Sequence, residues 1–228
     1  MLPEYTIRAF SSDSAVFDEV FFNNKYKLKG HKENGRTIVD IGSHAGYFSF
    51  LALSLGAKKV YSFEPYIDNF NLLLKNCYIP NFLGRFTPYN LGINTEPSIG
   101  RFDAPKFIDN IYFDFSSIGF SLDNSEKIYP CRCEKLDDLL TNQCFGEKID
   151  VLKINLGYAE REILLGSSLL SSNVISVCGE ITANDAQLLD FKQQRGIKGF
   201  VNFVSETPAE NDRVIFRASQ VNLSDNFI

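Results

Sequence analysis

The chain has no tryptophan, one methionine and only two histidines among its 228 residues. So few imidazoles leave little for a histidine-built metal site or for histidine proton transfer. Its five cysteines are an odd number, and Cys77, Cys144 and Cys178 stand alone. That excludes the disulfide framework of a small secreted domain. Cys131 and Cys133 are two apart, so a strand would turn both thiols to one side. A metal there would need further ligands, and the cysteines are read as reduced, structural residues of a cytoplasmic protein with no metal. Basic charge is also short, with 23 Lys and Arg against 28 Asp and Glu, a net charge of -5 and a pI near 5.2. A nucleic-acid binder draws most of its affinity from phosphate contacts and shows a basic stripe. Lys58-Lys59 is the only doublet, so no nucleic-acid partner is expected. The longest apolar run, Tyr47 to Leu55, is too short to span a bilayer, and the first residues lack the basic and apolar regions of a secretory signal. No membrane partner is expected either.

What remains is an ordinary globular balance, 44% hydrophobic and 22% charged, with aromatic bulk carried by 21 Phe and 10 Tyr. This length suits one α/β domain over residues 1–228. Apolar runs alternate between strand-like and helical spacing, the pattern of a parallel α/β sheet. An N-terminal cap over residues 1–36 holds a helix from Asp13 to Asn23. Strands are expected at Thr37 to Ile41, Lys59 to Phe63, Arg85 to Leu91, Lys127 to Cys133 and Ile149 to Ile154. Val174 to Ile181, Gly199 to Val204 and Arg213 to Phe216 supply the last three. Helices are expected at Tyr47 to Leu55, Ile67 to Asn76, Lys135 to Leu140 and Ala159 to Leu170. Residues 92–133 read as an insertion over the site, with one or two short strands before Asn124.

The first segment with chemistry in it is Val39-Asp40-Ile41-Gly42-Ser43-His44-Ala45-Gly46-Tyr47. It ends a strand and opens a helix, the setting of a nucleotide-binding turn. Gly42 lets the chain turn tightly, and Gly46 lets the helix start close to a ligand. Asp40 offers a carboxylate to the amino group of a methionine moiety, directly or through water. Glu64 follows at the next strand end, eighteen positions after Gly46, where it can accept bonds from both ribose hydroxyls. NAD would want three glycines spaced for a pyrophosphate. His44 stands where one of them belongs and a third is missing, so S-adenosyl-L-methionine fits better.

In order and spacing the chain resembles the FkbM family of methyltransferases. The resemblance starts with Phe17-Asp18-Glu19-Val20-Phe21 and Tyr26, then takes in Val39-Asp40-Ile41-Gly42 and Phe63-Glu64-Pro65. It continues through Asn90-Leu91-Gly92-Ile93, Ser116-Ser117, Lys135 to Leu140 and Asp150 to Ile154, and ends with Ala159-Glu160, Glu162-Ile163-Leu164 and Glu180. It implies a Rossmann-like class I methyltransferase fold, a mostly parallel seven-stranded sheet with a reversed last strand. It also implies O-methylation of a sugar, glycan or secondary metabolite. Cofactor contacts are then expected from Asp40, Gly42, Ser43, His44, Gly46, Tyr47, Glu64, Pro65, Asn90, Leu91 and Ser117.

After the fourth strand the family reads Lys-Ile-Asp-x-Glu-Gly-x-Glu. This chain reads Lys153-Ile154-Asn155-Leu156-Gly157-Tyr158-Ala159-Glu160, so two carboxylates are replaced by Asn155 and Gly157. Three readings stand. Asn155 orients an acceptor that needs no carboxylate there; Glu180 or His44 supplies the base; or the protein binds cofactor without catalysing transfer. Loss of the acidic pair also argues against a divalent metal, which prefers clustered carboxylate oxygens. The expected partner is a small-molecule or glycan acceptor, and a homo-oligomer is left open.

Overall fold

The computed structural model describes residues 4–28, 35–103, 106–108, 112–114, 120–121, 129–157, 159–182, 199–200, 202–206 and 213–220. Its frame is a seven-stranded sheet. Three strands have the bounds that the sequence predicts: β1 (Thr37–Ile41), β2 (Lys59–Phe63) and, later in the chain, Ile149–Ile154. The third strand, β3 (Phe86–Tyr89), is shorter than expected, because the chain leaves the sheet before Leu91.

Residues 92–133 carry more sheet than their irregular composition suggests. They contribute β4 (Gly92–Ile93), β5 (Ser98–Phe102), β6 (Lys106–Ile108), β7 (Tyr112–Asp114) and β8 (Phe120–Ser121), with β9 (Tyr129–Glu134) closing the stretch. The order β4-β9-β5-β8 makes a small second sheet, and β6 pairs with β7. Cys131 and Cys133 do face one way on β9, their sulfurs 3.6 Å apart.

The main sheet is completed by β10 (Ile149–Ile154), β11 (Val174–Thr182), β12 (Asn202–Glu206) and β13 (Arg213–Ser219). Its order is β12-β13-β11-β10-β1-β2-β3. The strands from β11 to β3 pair in parallel, and β13 runs antiparallel to both β11 and β12. This is the expected Rossmann-like arrangement with its last strand reversed.

Strands buried on both faces need helices on both sides. Val39, Ile41, Tyr61, Phe63, Leu152 and Ile154 fill one face; Ile38, Val60 and Val151 fill the other. On that second face lies α2 (Tyr47–Ser54), buried along all but its last residue, flanked by α1 (Asp13–Phe21) and α3 (Ile67–Cys77). Stacked rings tie α1 down, with Phe17 4.3 Å from Phe21 and 4.6 Å from Tyr5. The opposite face is covered by α4 (Leu136–Asp138), a π turn at Leu139–Gln143, α5 (Glu160–Gly166) and α6 (Leu170–Asn173).

The single helix expected from Ala159 to Leu170 is two helices. Asp137 is the cause: its carboxylate takes the Ser168 amide at 3.0 Å, the Leu169 amide at 3.3 Å and the Ser167 and Ser168 hydroxyls. These bonds hold the backbone out of helical register just after Gly166. Among the described residues, no helix is long and apolar enough to cross a membrane.

Candidate functional site

The carboxyl ends of β1, β10 and β11, with the start of β13, open into a cleft of about 570 Å³. Open α/β sheets bind ligands at this end. One wall is the turn Gly42-Ser43-His44; another is the side of α1 with Ala15, Val16, Glu19 and Val20, continued by Lys25, Tyr26 and Lys27. Lys153 and Asn155 form the floor, and Glu180, Arg213 and Ile215 the far side.

Gly42 makes the tight turn expected of it, and both glycines of the turn also answer to packing. Gly42 has φ +73°, and a Cβ there would lie 1.9 Å from the carbonyl oxygen of Asn155. Gly46 has φ +86°, and its Cβ would meet Leu73 at 2.5 Å and the Cys77 sulfur at 3.0 Å. Both are required by protein packing, Gly42 against the loop after β10 and Gly46 against α3. Ser43 locks the turn by donating to Asp40 O at 2.7 Å and accepting from the Phe63 amide at 3.0 Å.

His44 takes a left-handed φ of +51°, which aims its amide at Glu64 Oε2, 2.7 Å away. Its ring lies 3.6 Å from Asp13, which is clamped by Arg8 at 2.6 Å. Burial pushes the Asp13 carboxyl up, but hydrogen bonds from Arg8 and charge from His44 and Arg8 outweigh it and hold the group below its ordinary range. The segment preceding α1 is thereby strapped across the turn. Tyr47 joins the strap, its buried hydroxyl donating to Thr6 O at 3.3 Å.

Asp40 is wholly buried beneath the cleft. Its carboxylate takes the Ser49 hydroxyl at 2.6 Å and faces Lys153 Nζ at 3.0 Å. That ammonium also donates to Gly42 O at 2.6 Å. Asp40 and Lys153 are register partners on adjacent strands, so the pair is built into the sheet. Glu64 is 5% exposed and accepts from the amides of His44 and Tyr66, at 2.7 and 2.9 Å. Burial raises its carboxyl to about 7, against the pull of those two bonds and the Lys153 charge. Asn90 braces this strand end, donating to the carbonyls of Glu64 and Pro65 at 2.8 and 3.0 Å, while Leu91 belongs to the core.

Glu180 is held from both sides, by Lys25 at 2.7 Å and Arg213 at 3.3 Å. Asn155 Nδ2 donates to the Tyr26 hydroxyl at 3.0 Å and reaches Glu180 at 3.4 Å. Burial drives the Tyr26 phenol far above its usual range, so it remains neutral. Glu160 turns back to accept the amides of Leu156 and Gly157, fixing the loop after β10.

The cleft therefore gathers Gly42, Ser43, His44, Tyr47, Asn155 and Glu180. Asp40 and Glu64 lie buried behind its wall, with Pro65 and Asn90 beyond. Ser117, with Ser116 and Tyr158, lies outside the described residues. Sequence reasoning passed over Lys25, Lys153 and Arg213. A lysine inside an apolar strand requires a buried partner, and that signal could have paired Lys153 with Asp40. No comparable signal marks Lys25 or Arg213, which converge only through the fold.

The sequence profile of the methyltransferase FkbM domain matches residues 40–196, from the glycine turn through β11. The chain belongs to the FkbM methyltransferase family. No curated protein matches it. Among solved structures it is similar to the delta-N METTL16 MTase domain, at 14% identity over 92% of this chain and 84% of that one, with a TM-score of 0.53. It is similar also to the human methyltransferase 10 domain containing protein, at 13% identity over 97% and 88% of the two chains, TM-score 0.52. At such identities these structures show the fold alone, the class I methyltransferase fold. The methyl donor of the family is S-adenosyl-L-methionine. The residues fit it: Glu64 is a buried strand-end carboxylate whose oxygens have lone pairs beyond the two amides they accept, and the glycine turn stands beside it.

Proposed function

We propose that this FkbM family member methylates a hydroxyl group of a sugar, glycan or secondary metabolite, with Glu180 as general base and without a divalent ion. The observation that carries this reading is the cleft itself. Its volume of about 570 Å³ is that of a small-molecule site, and donors alternate with acceptors around it: Lys25, Asn155 and Arg213 against Glu19 and Glu180. A polyol hydroxyl both donates and accepts, so such a lining matches it better than a one-signed surface would. The net charge of -5 favours the same acceptors over a nucleic acid. Five free, buried cysteines support a reducing compartment such as the cytoplasm.

When bound, the cofactor supplies an electrophilic methyl group on a sulfonium. The chain's own task is to hold the acceptor in line and remove one proton. Glu64 takes the ribose hydroxyls, and the turn Gly42-Ser43-His44 lies along the methionine moiety. Glu180 accepts the acceptor's proton, with Asn155 orienting the hydroxyl from the neighbouring strand and Lys25 fixing the carboxylate. His44 is assigned to the Arg8–Asp13 strap rather than to proton transfer, because its ring faces that ion pair.

A second reading has support from Gly157 and from the two cations that already hold Glu180. In it the protein binds the cofactor and transfers nothing. Incubation with methyl-labelled S-adenosylmethionine and a panel of sugars and glycans, with and without chelator, separates the two. Chelator-resistant label in a carbohydrate supports the enzyme. Tight binding of S-adenosylhomocysteine with no label in any acceptor supports the second reading.

A further inference from the structure

Arg213 opens β13 opposite Thr182 of β11 and lines the cleft. Its side chain is 43% exposed, although the carboxylate it meets, Glu180, is only 8% exposed. Among the described residues its hydrogen bonding is one contact, Nη1 to Glu180 Oε1 at 3.3 Å, long for an ion pair. Nη2 stands above Gly157, 3.8 Å from the point where a Cβ would be. Among the described residues, leaving out its two chain neighbours, no other heavy atom comes within 4 Å of that point, and Gly157 holds φ +78°, which disfavours a side chain there. The guanidinium thus overhangs a glycine that presents no side chain of its own to it.

Among the described residues, the surrounding carboxylates are already matched. Glu160 takes two backbone amides, Glu19 takes Lys25 at 2.8 Å, and Glu206 takes Arg217 at 2.8 Å and Lys27 at 4.0 Å. An arginine fork has five donors in a plane suited to a carboxylate or phosphate. Among the described residues, most of that fork is left to the cleft.

We propose that the acceptor is itself an acid, whose carboxylate or phosphate docks on Arg213 above Gly157 while its reactive hydroxyl faces Glu180. This rests on the methyltransferase reading of the same cleft. The separation of 3.3 Å between Arg213 and Glu180 sets the arrangement. Anion and methylated hydroxyl must lie close together, on one sugar ring or on adjoining ones.

The test is calorimetric titration of the full chain with glucuronate, glucose 6-phosphate and glucose, and separately with S-adenosylhomocysteine. At least one of the two anions should bind tenfold or more tighter than glucose, and the tighter one identifies the acidic group. Arg213→Gln should erase the difference. So should Gly157→Asp, which brings a carboxylate of the chain itself to the guanidinium. Retained S-adenosylhomocysteine binding in both variants shows that their folds are intact. Equal affinities for the three sugars, no binding of any, or discrimination that survives both substitutions overturns the proposal. Failure of the parent to bind S-adenosylhomocysteine counts against the methyltransferase reading instead.

Discussion

Gly42 and Asn155 are locked in backbone contact: a Cβ on Gly42 would lie 1.9 Å from the Asn155 carbonyl oxygen. The two directly follow adjacent strands, β1 and β10, and the Asn155 amide donates back to Ile41 O at 3.1 Å. The glycine turn and the loop after β10 therefore share one joint. What happens at residue 42 is felt at residue 155.

Gly42→Ala should accordingly damage stability before it damages binding. The new methyl meets backbone, which cannot rotate away, at a φ of +73°. The cost should be on the order of 3 kcal/mol, read as a lower denaturation midpoint. A variant as stable as the parent would show that the two loops part freely and that the joint is soft.

Lys153 and Asp40 should behave as one unit. Both are buried, 3.0 Å apart. Lys153→Met strands a buried carboxylate, at a cost of roughly 3–5 kcal/mol. Adding Asp40→Asn to it should restore much of that loss, since no charge is then left unpaired. Denaturation of the single and double variants measures the coupling. Additive losses would mean that the pair does not interact.

Much of this frame was legible from the chain alone. The runs of β1, β2 and β10 are short, mostly apolar and bounded by turn or polar residues, so their limits follow from sequence. The glycine turn was legible as a turn but not in its causes, because Gly42 answers to Asn155 and Gly46 to Leu73 and Cys77, all distant in sequence. The break between α5 and α6 was hidden for the same reason: Asp137 imposes it from thirty residues away. Lys25 and Arg213 reach Glu180 from a loop and from a reversed strand. No local pattern encodes that meeting.

Glu64 should report cofactor binding through its proton. Its carboxyl is raised by burial from 4.5 to about 7. The folded state holds this proton more tightly than the unfolded one, so the associated stability is present below pH 4.5 and lost as pH rises through about 7. Taken at face value, that shift is worth about 3 kcal/mol. Ribose hydroxyls donate to the ionised form, so S-adenosylhomocysteine should bind more weakly at pH 6 than at pH 8 and release a proton near pH 7. Calorimetry in two buffers of different protonation enthalpy counts that proton. Glu64→Gln should abolish both the release and the pH dependence. Release that persists in the variant would assign the proton elsewhere.

Glu180 should separate chemistry from binding. It touches neither the glycine turn nor Glu64, and its contacts run to Lys25, Arg213 and Asn155 on the acceptor side. Glu180→Gln preserves size and one acceptor oxygen while removing the site that receives the proton. With Glu180 as general base, kcat should fall by about 10²–10⁴-fold, while calorimetric affinity for S-adenosylhomocysteine stays within about twofold of the parent. Lys25→Gln should give a smaller loss, because it leaves the carboxylate in place and only loosens one of its two cations. If Glu180→Gln turns over as fast as the parent, proton removal lies with another group or with solvent, and the carboxylate is a structural link between the loop after α1 and β13.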